Sequence, residues 1–151
     1  MNFNDLREKR LNYLSSNRCR NNDNTIASTK FGKEVFVSIN YSSGLLEIFE
    51  INNVFEYERR SMMIGWKKYD NGIKICDIQG SQNLGYGSLG LSLLIEWCKQ
   101  EGVRRIYGDL SIYDLGHKER LKHFYSKHGF SIHYDNIENE NFWARIELKI
   151  N

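Results

Sequence analysis

The hydrophobic rhythm of the chain changes near its middle. Up to residue 79 apolar positions mostly recur every second residue; from residue 88 stretches spaced by three or four alternate with stretches of the two-residue rhythm. Leu6, Leu11 and Leu14, set among Arg7, Glu8, Lys9 and Arg10, predict a helix over 5–15 whose basic residues form a solvated face. Residues 17–30, rich in Asn, Ser, Thr and Asp, read as a polar loop. Val35, Val37 and Ile39 alternate with Phe36 and Ser38 and predict a strand over 34–40. After the turn Ser42-Ser43-Gly44, a second strand runs over 45–51 with Leu46 and Ile48 facing one way. A third strand over 61–69 and a fourth over 73–79 flank Asp70-Asn71-Gly72, because Asn-Gly accepts the positive φ angles of a tight hairpin. Residues 52–60 match no template.

The second half reads as helices alternating with strands. Leu89, Leu93 and Trp97 stand at i, i+4 spacing with Leu94 and Cys98 beside them, and predict a helix over 88–100 stopped by Gly102. A short strand over 105–110 follows. A second helix over 117–128 buries Leu121, Phe124 and Tyr125 and ends at Gly129-Phe130, the pair expected of a left-handed cap with its apolar contact. Strands over 130–134 and 142–150 close the chain, the last with Phe142, Ala144, Ile146, Leu148 and Ile150 on one face. An acidic loop, Asp135 to Glu140, joins them.

Composition narrows the class. The chain has 151 residues, 40% hydrophobic and 26% charged, ordinary values for one globular domain. With no Pro, repeat or linker, residues 1–151 read as a single domain. Lys and Arg number 21 against 19 Asp and Glu, and a net charge of +2 does not point to nucleic acid. No apolar run approaches the ~20 residues of a membrane span, and no secretory apolar segment opens the chain. Three cysteines without CxxC spacing fit a reduced, cytoplasmic setting, with Cys76 and Cys98 as small core residues. His117, His123, His128 and His133 fit no zinc spacing, so no metal is expected.

The stretch Gln79-Gly80-Ser81-Gln82-Asn83-Leu84-Gly85-Tyr86-Gly87-Ser88-Leu89-Gly90 carries the chemistry. It follows a strand and opens a helix, where free N–H groups and the positive end of the dipole favour an anion such as a diphosphate. Gly85-x-Gly87-x-x-Gly90, with Asp109 further on, also fits a dinucleotide fingerprint. Against it, polar residues separate the strand from the glycines, and an antiparallel meander precedes them.

Gln82-x-x-Gly85-x-Gly87 resembles the signature of the GNAT superfamily of N-acetyltransferases. Phe124-Tyr125-Ser126-Lys127-His128-Gly129-Phe130 is similar to its closing helix, with a Tyr four residues before Gly-Phe. The order of elements over 73–150 follows the family plan. The resemblance implies an α+β fold: a mostly antiparallel mixed sheet with one splayed parallel pair and helices on both faces. It implies acetyl-CoA as cosubstrate and transfer of its acetyl group to an amine by direct attack. The alternative is a non-catalytic CoA-binding or regulatory module on the same fold. Two features depart from the family: Lys118 stands where members often carry an Asn that contacts the pantetheine arm, and the usual opening strand before the first helix is not recognisable.

The resemblance also implies residue roles. Gln82, Asn83, Leu84, Gly85, Tyr86, Gly87 and Ser88 hold the pyrophosphate, chiefly through backbone N–H groups and the Ser88 hydroxyl. A main-chain N–H near Ile78 or Gln79 faces the thioester oxygen, which gains charge during attack. Tyr125 is the acid that protonates the leaving thiolate. From its position late in the strand before the loop, rather than from the resemblance, Asp77 is the first candidate for the base, with Asp109 and Glu50 as rivals. Trp66 and Trp143 are candidates for an acceptor pocket or for sheet packing. Asp135, Glu138 and Glu140 point to a cationic acceptor. The oligomeric state stays open, a dimer included.

Overall fold

The computed structural model describes residues 2–52, 59–134 and 140–151. The elements are α1 (Phe3–Ser16), β1 (Asp23–Ser28), β2 (Glu34–Asn40), β3 (Leu45–Glu50), β4 (Met62–Tyr69), β5 (Gly72–Gly80), α2 (Tyr86–Gln100), β6 (Arg105–Ser111), α3 (Lys118–Lys127), β7 (Ser131–His133) and β8 (Phe142–Lys149). The strands form an α+β sheet in the order β1-β2-β3-β4-β5-β6-β8-β7. It is mostly antiparallel with one parallel pair, β5 with β6, registered at Ile73↔Ile106, Lys74↔Tyr107 and Ile75↔Gly108. The chain divides into two compact units, Met1–Gly65 with Asp77–Gly90, and Trp66–Cys76 with Leu91–Asn151.

In the first unit, α1 starts where the Asn2 side chain accepts the Asp5 N–H at 2.9 Å. Its Leu14 is buried with Cys19, Phe36, Phe49 and Ile51, and Leu11 packs against that cluster. Phe36 and Phe49 are register partners and meet edge to face at 6.2 Å. Two expectations fail here. Arg10 is not on a solvated face: it is buried, its Nε donates to the Glu50 carbonyl, its Nη2 to the Arg59 carbonyl, and its guanidinium lies 5.6 Å above the Phe49 ring. The 17–30 loop contains a strand: β1 pairs with β2 from Asp23↔Ile39 to Ser28↔Glu34. It is an edge strand, so backbone pairing forms it without an apolar face. β2 and β3 are buried on both faces rather than alternating. Ser38 and Glu47 are register partners in that interior, and the Glu47 carboxylate accepts Arg18 Nη2 at 2.7 Å and Arg60 Nη1 at 2.9 Å.

In the second unit the alternation read from sequence for the last strand holds, with Ala144 and Ile146 of β8 turned inward, and β6 alternates as well, burying Ile106, Gly108 and Leu110. Trp66 is buried against Trp97 at 6.0 Å, which gives it a packing role. The inner stripe of α2 is rotated from the predicted one. Leu91, Leu94 and Cys98 are buried, whereas Leu89, Leu93 and Trp97 are half-buried. Cys76 is exposed, not core, because β5 loses its cover after Ile75. A 3₁₀ turn, Ile112–His117, precedes α3 and was not foreseen. α3 ends as Gly129-Phe130 foretold: the Gly129 N–H donates to the Ser126 carbonyl at 3.0 Å and the Phe130 N–H to the Tyr125 carbonyl at 3.1 Å. Asp135 and Glu138 of the acidic loop lie outside the described residues; Glu140 is exposed.

Candidate functional site

β5 buries Ile73 and Ile75, then runs exposed from Cys76 to Gly80 with Ile78 half-covered. The loop after it is tied at its start by the Ser81 N–H, which donates to the Ser61 carbonyl at 3.1 Å. Gln82, Asn83 and Leu84 are exposed. Asn83 (φ 62°) and Gly85 (φ 81°) both adopt the left-handed region, which Asn and Gly tolerate best. The Gly85 carbonyl accepts the Leu89 N–H at 3.1 Å, the first bond of α2. The N–H groups of Gly85, Tyr86, Gly87 and Ser88 therefore have no acceptor within the helix, and they stand at the positive end of its dipole. An anion with several oxygens matches this array.

Tyr86 offers that array only its N–H, because its side chain is fully buried. The hydroxyl donates to Glu50 Oε1 at 2.8 Å, and Lys33 Nζ reaches the same oxygen at 3.3 Å. The Tyr86 hydroxyl, then the Lys33 charge, holds the Glu50 carboxyl below its ordinary pKa. The same hydroxyl and Glu50 push the Lys33 ammonium above its own, and burial raises Tyr86. The network fastens the first residue of α2 to β3 and to the β1–β2 turn. Sequence reading missed Lys33 and the structural use of Glu50.

That turn also abuts the loop. A Cβ placed on Gly85 would lie 3.4 Å from Thr29 Cβ and 3.4 Å from Phe31 Cδ2. Gly90 packs closely under β4: a Cβ there would come within 2.8 Å of Met62 Cε and 3.3 Å of Ile64 Cδ1, so the flexible end of Met62 would have to shift.

The three candidate bases are now unequal. Glu50 is engaged by Tyr86 and Lys33, which lowers its basicity. Asp109 pairs with Lys74 Nζ at 3.1 Å. Asp77 is exposed and accepts only the Gln79 side-chain amide, at 2.6 Å, with no cation beside it among the described residues. Tyr125 belongs to the second unit, is 5% exposed, and packs against Phe124 at 5.1 Å and Phe130 at 5.5 Å. Lys118 Nζ lies 5.3 Å from the Trp143 ring centroid and 5.7 Å from that of Tyr134. Among the described residues no group of His, Cys, Asp and Glu could hold a metal ion, and no helix is long and apolar enough to cross a membrane.

No family model matches the chain. It is 36% identical over 66 residues to the uncharacterized protein YocC of Bacillus subtilis strain 168, a match over 44% of this chain and 40% of that relative. The chain thus spans about two-fifths of the curated relative it matches. Solved structures resemble far more of it. A candidate streptothricin acetyltransferase from Bacillus anthracis strain Ames, in complex with acetyl coenzyme A, superposes with TM-score 0.53 at 15% identity, over 87% of this chain and 84% of that one. An acetyltransferase of the GNAT family from Staphylococcus aureus Mu50 does so with TM-score 0.51 at 17% identity, over 78% of this chain and 68% of that one.

The chain has the GNAT fold. Its mostly antiparallel sheet excludes the doubly wound dinucleotide fold that the glycine spacing also allowed. In the GNAT fold of this chain, Gly90 makes room for β4 side chains and Asp109 is spent on Lys74.

Proposed function

We propose that this chain is an acetyl-CoA-dependent N-acetyltransferase and that residues 1–151 act as one catalytic domain. The observation that carries the reading is the row of N–H groups from Gly85 to Ser88 left without an acceptor inside their helix, which follows the exposed half of β5 in a GNAT fold. These N–H groups, with those of Asn83 and Leu84 and the Ser88 hydroxyl, hold the pyrophosphate, and Gln82 opens the loop. The main-chain N–H of Ile78 or Gln79 meets the thioester oxygen as it gains charge.

The amine nitrogen attacks the thioester carbonyl carbon, a C–N bond forms and the C–S bond breaks. Asp77, directly or through water, takes the amine proton, since an ordinary alkylamine (pKa ~10.4) arrives protonated at neutral pH. Tyr125 gives its proton to the departing thiolate. That Asp77 has no cation beside it among the described residues, whereas Glu50 and Asp109 each pair with a lysine, supports its choice.

The test is thiol release from acetyl-CoA over a panel of polyamines, aminoglycosides, Lys-rich peptides, and neutral and acidic amines. At least one amine is expected to drive release. Tyr125→Phe is expected to lower kcat about a hundredfold while CoA still raises the melting temperature. CoA binding by the wild type without release for any amine favours the non-catalytic module instead.

A further inference from the structure

The turn between β1 and β2 is built more firmly than a surface connection requires. The Thr29 N–H donates to the Lys33 carbonyl at 2.9 Å and the Gly32 N–H to the Thr29 carbonyl at 2.9 Å. The Thr29 hydroxyl, buried, accepts the Phe31 and Lys33 N–H groups at 3.3 Å each. A turn so closed holds its side chains in a fixed place.

It presents two groups of opposite character beside the anion loop. Phe31 is 66% exposed although its ring edge approaches Gly85, and Leu84 of the loop is itself 44% exposed. An aromatic ring this exposed at the edge of the loop is apolar surface open to a ligand. The two lysines of the turn differ. Lys33 is committed to Glu50 and Tyr86. Lys30 is exposed, its Cγ 3.6 Å from a Cβ built on Gly85, and its ammonium rests 5.2 Å from the Phe31 ring centroid with no carboxylate partner among the described residues. A cation on a long stem can leave an aromatic face for a stronger anionic partner within its reach.

We infer that Lys30 and Phe31 form the wall of the site that grips the nucleotide end of the cosubstrate, Phe31 stacking on the purine and Lys30 meeting a phosphate outside the pyrophosphate cradle. A flat aromatic platform beside a mobile cation suits a purine nucleotide, because every base offers a π-face and a phosphate needs only a charge. The inference rests on the acetyl-CoA reading of the loop and adds a contribution from a hairpin distant in sequence from it.

The experiment is calorimetric titration of wild type, Phe31→Ala and Lys30→Gln with CoA, dephospho-CoA and 4′-phosphopantetheine. Both side chains are exposed, so the variants are expected to melt with the wild type. Phe31→Ala should weaken CoA about tenfold, and Lys30→Gln about three- to tenfold at low salt, with the Lys30 effect fading as salt rises. Neither should alter the affinity for 4′-phosphopantetheine, which lacks the nucleoside. If Lys30 meets the 3′-phosphate, Lys30→Gln loses its effect on dephospho-CoA; an effect kept there puts Lys30 on the pyrophosphate and overturns that half of the inference. Wild-type binding of CoA that both variants match overturns the inference and leaves the loop's role standing. A wild type that binds no CoA overturns both.

Discussion

The two units bury different kinds of side chain. Among the described residues the buried polar ones, Arg10, Thr29, Ser38 and Glu47, all lie in the first. The second buries apolar groups and leaves its ion pairs, Lys74–Asp109 and Arg105–Glu147, partly open to water. A buried polar group must keep its partner, since losing it leaves an uncompensated charge or lone pair. An apolar interior asks only for volume and shape. The first unit should therefore be brittle towards single polar substitutions, and the second tolerant.

The sharpest way to break that contrast is to remove one carboxylate from each unit. Glu47 is 4% exposed and held by two arginines that are each about a third exposed. Glu47→Gln is expected to cost about 2–3 kcal/mol in urea unfolding, towards the lower end for a buried pair because its cations can turn to water. Glu147→Gln, which removes the carboxylate that Arg105 holds below its ordinary pKa, is expected to cost about 1 kcal/mol or less. Equal losses would mean that the units do not differ in this respect.

Acid should reach the first unit through Glu50. Its folded pKa lies below the ordinary 4.5, first because the Tyr86 hydroxyl donates to it. The stability it contributes is complete above its unfolded value and is lost as pH falls through the folded one. The stability gap between wild type and Glu50→Gln should stay level from neutrality down to about pH 5 and close below that. A gap that widens on acidification would contradict the network.

The smallest effect concerns the thiols, where the units agree. Burial pushes Cys98 up to about 12 and raises Cys19, while Cys76 is exposed. Titration with an aromatic disulfide near pH 8 should find Cys76 alone reacting promptly in the folded chain, and all three cysteines in urea. Fast modification of Cys98 in the folded protein would show that its helix opens.

The same division explains what could be read in advance. β8 and the α3 cap were legible because apolar alternation and Gly129-Phe130 report directly on burial and on a left-handed turn. The tight turn at Gly85 was legible because the residue that permits it is itself the signal. β1 was hidden because an edge strand of polar residues has no apolar period. Arg10 was hidden because a basic residue in a helix reads as solvated until two distant carbonyls reach it. The Tyr86–Glu50 bond spans 36 positions, beyond any local pattern. Cys76 misled because its apolar neighbours on β5 are buried where it is not.

The loop's shape is also a matter of inheritance. Residues 79–90 carry the recognisable glycines, but the mould that fits them is kept elsewhere: Thr29 and Phe31 set the clearance at Gly85, and Lys33 with Glu50 fixes Tyr86. The segment is therefore not a portable cassette. Grafted alone into another sheet, it would bring its signature and leave behind the parts that give the signature its form. Conversely, an insertion in the hairpin at 29–33, harmless on most surfaces, would be felt at the loop. A substitution at Thr29, Phe31, Lys33 or Glu50 is thus a substitution in the loop's surroundings, however far from it in sequence.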